Sequence, residues 1–357
     1  MAQYRIDVRD LAGTKVAEIT EYTALNYVNR RNQAGECVFS LSDTSSKINL
    51  FEDNCIVEIL RKSPLYDLDW YVDFYGIYRA EERTESKSGL FTANCPGILD
   101  LLNDRIVAYP PQTVNRSEFT DKPAETILHT LVKYNATSSG TTVDGRVRLA
   151  TIPGISAGTD LGRGPTVDYW ECAEQPLLDT MYELATKHKV AYTLTNTGTN
   201  AWRWDYVVNI DVSDSQIFSI KRGNVESITY RKDRRNERTV ALVGSVGEGT
   251  LKAYDIRTGA NYNVSTNNRE MYVNAPSSAE LDVIYLEGDK ELNNRLAKPE
   301  ITFNVLQTNS SYYGVHYGLN YLVTGQYRGV DYPLVVSEVS VDYSTAMENI
   351  QVKLEDL

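Results

Sequence analysis

Histidine is nearly absent from this chain, with 3 in 357 residues. His129, His188 and His316 have no partner at i+3 or i+4, so no pair shares a helix face as metal ligands do. Cysteine is almost as scarce. Cys37, Cys55, Cys95 and Cys172 form no C-x-x-C pair, which argues against a zinc site or a disulfide framework and for reduced, packed thiols. No cofactor is expected. An excess of positive charge is missing as well: 36 Lys and Arg face 48 Asp and Glu, a net −12 that disfavours sequence-specific nucleic-acid binding. There is no run of eighteen apolar residues, and MAQYRIDVRD lacks an apolar signal segment. The expectation is therefore no membrane span, no secretory export and synthesis that ends in the cytoplasm. Without export, the sequons at Asn115, Asn135, Asn263 and Asn309 carry no meaning.

What remains is ordinary in bulk, with 42% hydrophobic and 24% charged residues, enough apolar material for a sizeable core. The length exceeds what one core organises and predicts two or three domains. Tyrosine stands out, at 25 against 7 Phe. A phenol packs its ring while keeping its OH hydrated, which suits half-buried strands and wet interfaces, although β-propensity accounts for part of the excess.

Along residues 1–95, QYRIDV, KVAEIT, YTALNYVNR, ECVFSLS, CIVEILR, WYVDFYGIYRAEE and LFTANC alternate in polarity between Gly, Asp, Ser and Pro breaks, the pattern of a sandwich or barrel. Residues 96–224 read as an α+β middle. Pro96 opens a helical PGILDLLNDR. Asp121 is expected to cap a helix with Pro123 in its first turn and Ile127, Leu128, Leu131 and Val132 as its apolar stripe. EQPLLDTMYELATKHK predicts a second helix with cations in its last turn. Strands return through residues 225–357, with a helix started or interrupted near Gly288. The two strand-rich flanks have the character of a diverged duplication.

The segments that could carry chemistry read more plainly as structure. Gly154-Ile155-Ser156-Ala157-Gly158 matches the G-x-S-x-G nucleophile elbow, but Pro153 precedes it and no helix follows, so a loop is expected. Asp67 with Asp69 is one carboxylate pair among many. GSVGEG, from Gly244 to Gly249, lacks the Lys and Ser or Thr of a phosphate loop and reads as a hairpin. No catalytic residue and no metal ligand is assigned, and the chain is read as a non-enzyme. Arg231, Lys232, Arg234, Arg235 and Arg238 form a basic cluster, either a solvated strand end or an interface with an acidic face of another subunit. Trp202, Trp204 and Tyr206 alternate onto one strand face, which is core, subunit contact or a glycan-stacking platform.

Several segments, in order, resemble the siphovirus Gp37-like tail protein family: YTALNYVNRRNQAGECVFSLS, LFTANCPGILDLLNDRIVAYP, PAETILHTLVKYN, PLLDTMYELATKHKVAYTL and ITYRKDRRNERTVALVGSVGEG. The chain departs from the family's Leu-Gly-Asp turn at Gly318 to Val323. The resemblance implies a β-dominated α+β fold in which two tail-tube-like β-barrel modules, 1–95 and 225–357 with an inserted helix, flank the α+β domain 96–224. It implies a structural tail hub in the virion tail tip, a homotrimeric ring that continues the DNA ejection channel. Its partners would be itself, the distal tail protein, the tail tube and tape measure proteins, and tip or fibre proteins. A chain ending at Leu357, just after its last predicted strand, is expected to have no lytic domain. A carbohydrate-binding adhesin and a tail-associated cell-wall hydrolase are the alternatives.

Overall fold

The computed structural model describes residues 2–63, 66, 68–86, 88–108, 117–137, 151–245, 254–275, 281–297, 299–343 and 348–356. The first stretch is strand-rich, as its alternation predicts: β1 (Gln3–Arg9), β2 (Lys15–Ile19), β3 (Ala24–Arg30), β4 (Glu36–Ser42), β5 (Ile56–Ser63), β6 (Leu68–Ile77), β7 (Ala80–Thr84) and β8 (Leu90–Pro96). A period of two sends alternate side chains to one face. Cys37, Phe39 and Leu41 of β4 are thus fully buried, opposite Cys95, Ala93 and Phe91 of β8. PGILDLLNDR supplies a short 3-10 turn over Ile98–Leu102.

The middle stretch contains β9 (Ser117–Pro123), α1 (Ala124–Asn135), β10 (Ile155–Ala157), β11 (Thr166–Cys172), α2 (Leu177–His188), β12 (Ala191–Gly198) and β13 (Ala201–Val207). The stripe Ile127, Leu128, Leu131 and Val132 is buried with Leu177, Met181 and Leu184 of α2. Each such aliphatic side chain contributes about 1.5–3 kcal/mol by leaving water. Lys187 and His188 close α2 and Lys189 follows with φ +56°, so the two lysines lie at the negative end of the helix dipole. Asp121 is not a helix cap. It lies inside β9 with φ +51°, and the first amides of α1, on Ala124 and Glu125, donate instead to the carbonyls of Pro165 and Arg163.

The last stretch contains β14 (Ile210–Asp211), β15 (Ile217–Phe218), β16 (Val225–Lys232), β17 (Val240–Gly244), β18 (Tyr254–Thr258), β19 (Glu270–Asn274), α3 (Leu281–Asn294), β20 (Pro299–Val305), β21 (Tyr321–Tyr327), β22 (Val330–Asp342) and β23 (Asn349–Asp356). Helix α3 runs through Gly288 without a break. A Cβ there would come within 2.7 Å of Val243 Cγ2 and Arg257 Cγ, so the missing side chain lets the helix lie close on its sheet. The turn at the departure from the family pattern is made by Asn320 at φ +67°, and β21 starts at the next residue.

Two compact units result: residues 1–228 with 302–357, and residues 229–301. In the first, β2-β1-β5-β6 form one antiparallel sheet, and β16-β20-β23-β22-β3-β4-β8-β7 form the main path of a larger one. Because β22 pairs with β3, Val341 opposite Tyr27, the strand-rich flanks of the sequence share a sheet, and the contiguous spans 1–95, 96–224 and 225–357 are not the compact units. In the second unit α3 covers one face of the sheet β18-β17-β19. No described helix is long and apolar enough to cross a membrane.

Candidate assembly surfaces and a buried polar centre

The most densely bonded polar group among the described residues is Arg61, on β5 and 0% exposed. Its Nε donates to Tyr4 Oη at 3.0 Å and to Glu348 Oε1 at 2.9 Å, and its Nη2 lies 2.8 Å from the same carboxylate oxygen. Its Nη1 donates to Tyr71 Oη at 2.9 Å and to the Tyr313 carbonyl at 2.8 Å. The rings of Tyr312 and Tyr313 lie 5.0 and 5.2 Å from the guanidinium carbon. Burial opposes the charge, but Tyr4 and Glu348 more than offset it and hold the guanidinium above its ordinary value. Beside it, the Asp73 carboxylate accepts from Tyr313 Oη at 3.0 Å and from Tyr27 Oη. Burial pushes the Asp73 carboxyl up and drives the phenols of Tyr4, Tyr27 and Tyr313 well up. This centre fastens β1, β5 and β6 to the 312–317 turn and to the residue before β23. It fixes a shape.

The catalytic candidates come apart in three dimensions. Ser156 lies in β10, which pairs in parallel with β13, and its Oγ donates to the Trp202 carbonyl at 3.3 Å. His129 Nε2 sits 2.9 Å from Gly158 O rather than on the serine. His316 Nδ1 accepts the Tyr312 amide at 3.0 Å, and burial lowers the His188 pKa. No group of metal-ligating side chains gathers among the described residues. Asp67 and the Val246–Gly249 part of GSVGEG lie outside those residues. All four cysteines are free and buried.

Trp202 and Trp204 are 2% and 1% exposed and belong to the α1–α2 core, with Tyr206 packed half-buried at its margin. A sugar has no ring face to stack on there, so the platform reading fails for the two tryptophans. The basic cluster is at the surface but pairs within itself. Arg234 Nε lies 2.7 Å from Glu237 Oε2, whose side chain is fully buried, and Asn261 donates to the other oxygen at 2.8 Å. Burial opposes the Glu237 charge, and these two partners hold its carboxyl below the usual range. Arg235 and Arg231 share Asp233, and Arg238 donates to the Glu237 carbonyl at 2.9 Å. Arg234 is therefore structural, while Arg231, Lys232 and Arg235 project outward.

Comparison with known proteins bears on the family and the fold. The model of the family described as siphovirus ReqiPepy6 Gp37-like protein matches residues 5–354. Among solved structures, the 43 kDa tail protein of prophage MuSo2 from Shewanella oneidensis is similar with a TM-score of 0.61 at 13% identity, over 99% of this chain and 98% of that one. The tail protein from Neisseria meningitidis MC58 gives 0.57 at 13% identity, over 99% and 97%. The prophage tail protein gp18 from Listeria monocytogenes EGD-e gives 0.51 at 12%, over 98% and 94%. At these identities the likeness is one of fold. No curated protein matches the sequence.

Proposed function

The chain belongs to the siphovirus ReqiPepy6 Gp37-like family and has the fold of phage tail proteins, and we propose that it is a structural hub of the tail tip. In this reading three copies close into a ring that continues the tail channel and joins the tail tube and distal tail protein to tip or fibre components. The observation that carries it is the end-to-end likeness to tail proteins, together with a polar centre built to hold shape. The acidic balance of −12 suits the wall of a channel through which DNA slides without sticking. The strand-rich flanks, interleaved through β3 and β22, are proposed to form two tube-like walls per chain. Three chains would then present six similar surfaces to a sixfold tube. Burial of Trp202 and Trp204 disfavours the adhesin reading, and the position of Ser156 within a strand disfavours the hydrolase.

Cryo-electron microscopy of purified tails tests the proposal. It expects three copies of this 40.2 kDa chain around the tail axis, next to the tube. A chain located on a side fibre, or absent from the particle, overturns it.

A further inference from the structure

Residues 229–301 fold around their own core, and their charge differs from that of the rest. They carry 11 Lys and Arg against 11 Asp and Glu, so the whole excess of −12 resides in residues 1–228 and 302–357. The sheet β18-β17-β19 of this neutral unit has two unlike faces. Ala241, Val243 and Val273 point to Ile284 and Leu292 of α3 and form the core, with Met271 packed against it. On the opposite face Ile256 and Tyr272 both stand opposite Leu242, making one row across three strands. These three are 62%, 48% and 38% exposed, and Tyr254, two residues from Ile256 on the same face, is 55% exposed.

At the end of the sheet where β17 and β19 begin, the amides of Thr239 and Val240 donate to the Arg269 carbonyl at 2.9 and 3.1 Å. The Arg269 guanidinium in turn donates to the carbonyls of Arg234 and, at 2.7 Å, Arg235. The basic loop is thereby pinned to that end of the apolar row. Aliphatic side chains, tyrosines and arginines in one patch form the composition of an interface centre, whereas a solvated sheet face carries mostly Lys, Glu and Thr.

We propose that this face of residues 229–301 docks on the acidic remainder of a second copy of this chain, in a head-to-tail contact. The patch asks for an apolar strip bordered by carboxylates. The chain's other unit holds all of the negative excess, while two neutral 229–301 units gain nothing electrostatically from each other. A head-to-tail contact also leaves one free copy of each surface at either end of a pair, the condition for closing a ring. The inference deepens the hub reading by naming the contact between neighbours, and rests on that reading only for the number of copies.

The test uses the full-length chain in sedimentation equilibrium at low and high salt. The wild type is expected to self-associate, more weakly as salt screens the charged part. Ile256→Glu is expected to lower the association constant at least about tenfold, the effect of losing one central contact. Lys232→Glu with Arg235→Glu should weaken association and flatten its salt dependence. Circular dichroism checks the fold, and Leu242→Gln serves should Ile256→Glu unfold. Zero-length carbodiimide coupling of mixed ¹⁴N and ¹⁵N chains should join Lys232 to carboxylates of residues 1–228 or 302–357 in the other isotope. A chain that stays monomeric at every concentration, association indifferent to Ile256→Glu, or links confined to two 229–301 segments overturns the proposal. The hub reading fails on a different result, absence of the chain from purified tails by mass spectrometry.

Discussion

Replacing Arg61 with Met keeps most of the side-chain volume and removes every donor that the guanidinium brings to the buried centre. Glu348 then loses a cation 2.8 Å away, Tyr71 Oη and the Tyr313 carbonyl lose donors at 2.9 and 2.8 Å, and Tyr4 Oη loses one at 3.0 Å. Stranding one member of a buried ion pair costs about 3–5 kcal/mol. For a unit of this size each kcal/mol lowers Tm by roughly 2 °C, so the variant should melt about 6–10 °C below the wild type. Adding Glu348→Leu removes the stranded carboxylate. What remains is the Tyr313 carbonyl and the phenols, a deficit of about 1–3 kcal/mol. The double variant should therefore be more stable than Arg61→Met alone, which independent sites never show. Thermal and urea melts of the four proteins measure this. Additive losses, or a single-variant shift under about 2 °C, refute the view that the ion pair closes the centre.

Burial raises the Asp73 carboxyl in the folded chain above its ordinary value of 3.8, so its ionisation opposes folding. That penalty is absent below the ordinary value and grows as pH rises through the raised one. The stability of Asp73→Asn relative to wild type should accordingly climb with pH across this window, and urea midpoints from pH 4 upward that run level or fall refute the assignment. Charge reversal at Arg234 strands the buried Glu237 and should cost about 3 kcal/mol, whereas Arg235→Glu, on an exposed pair, should cost under about 1 kcal/mol. Equal losses in chemical denaturation would remove the distinction drawn between them. Gly288→Ala gains up to about 1 kcal/mol of helix propensity but drives a methyl to 2.7 Å from the buried Val243 side chain. A net loss of about 1 kcal/mol is expected, and a raised melting temperature refutes the close approach of α3 to its sheet.

Short-range pattern was enough to read most strands of residues 1–95 and the helices α1 and α2, but not β9, β10, β11, β18 or β19. Alternation located β1 to β6 and β8 but ran β7, exposed along its whole length, together with β6, and the stripe of α1 repeats at helical spacing. What escaped the reading depends on residues far apart in sequence. Asp121 has the composition of a cap, but Arg163 and Pro165, some forty positions on, bring carbonyls to the same amides. Cys37 and Cys95 appear unrelated until β4 and β8 pair and place them opposite each other. The tyrosine excess suggests half-buried, hydrated phenols, yet Tyr4 and Tyr313 are buried, and nothing local tells that they and Tyr71 converge on one arginine. Arg61 itself looks like the polar end of an edge strand. Its burial follows from Glu348, 287 residues away.

The same long-range pairing constrains the order of folding. Strand β22 lies between β3 and β23 in the larger sheet, so β3 keeps an open edge until residues 330–342 arrive. The sheet of β1, β2, β5 and β6 is likewise held to the rest through Arg61, whose guanidinium has no directly paired carboxylate until Glu348 is present. Neither strand-rich flank is therefore complete alone, and sheet pairing across more than three hundred residues is slow because loop closure precedes the gain from contact. Residues 229–301 have the opposite character. Their core joins Ala241, Val243, Val273, Ile284 and Leu292, all within one short span, so it can form while the larger unit still waits for its last strands. An apolar sheet face completed early, on a neutral surface, is exposed throughout that wait. On the proposed head-to-tail contact, the basic loop at its end would disfavour pairing of two such faces before an acidic partner surface has folded.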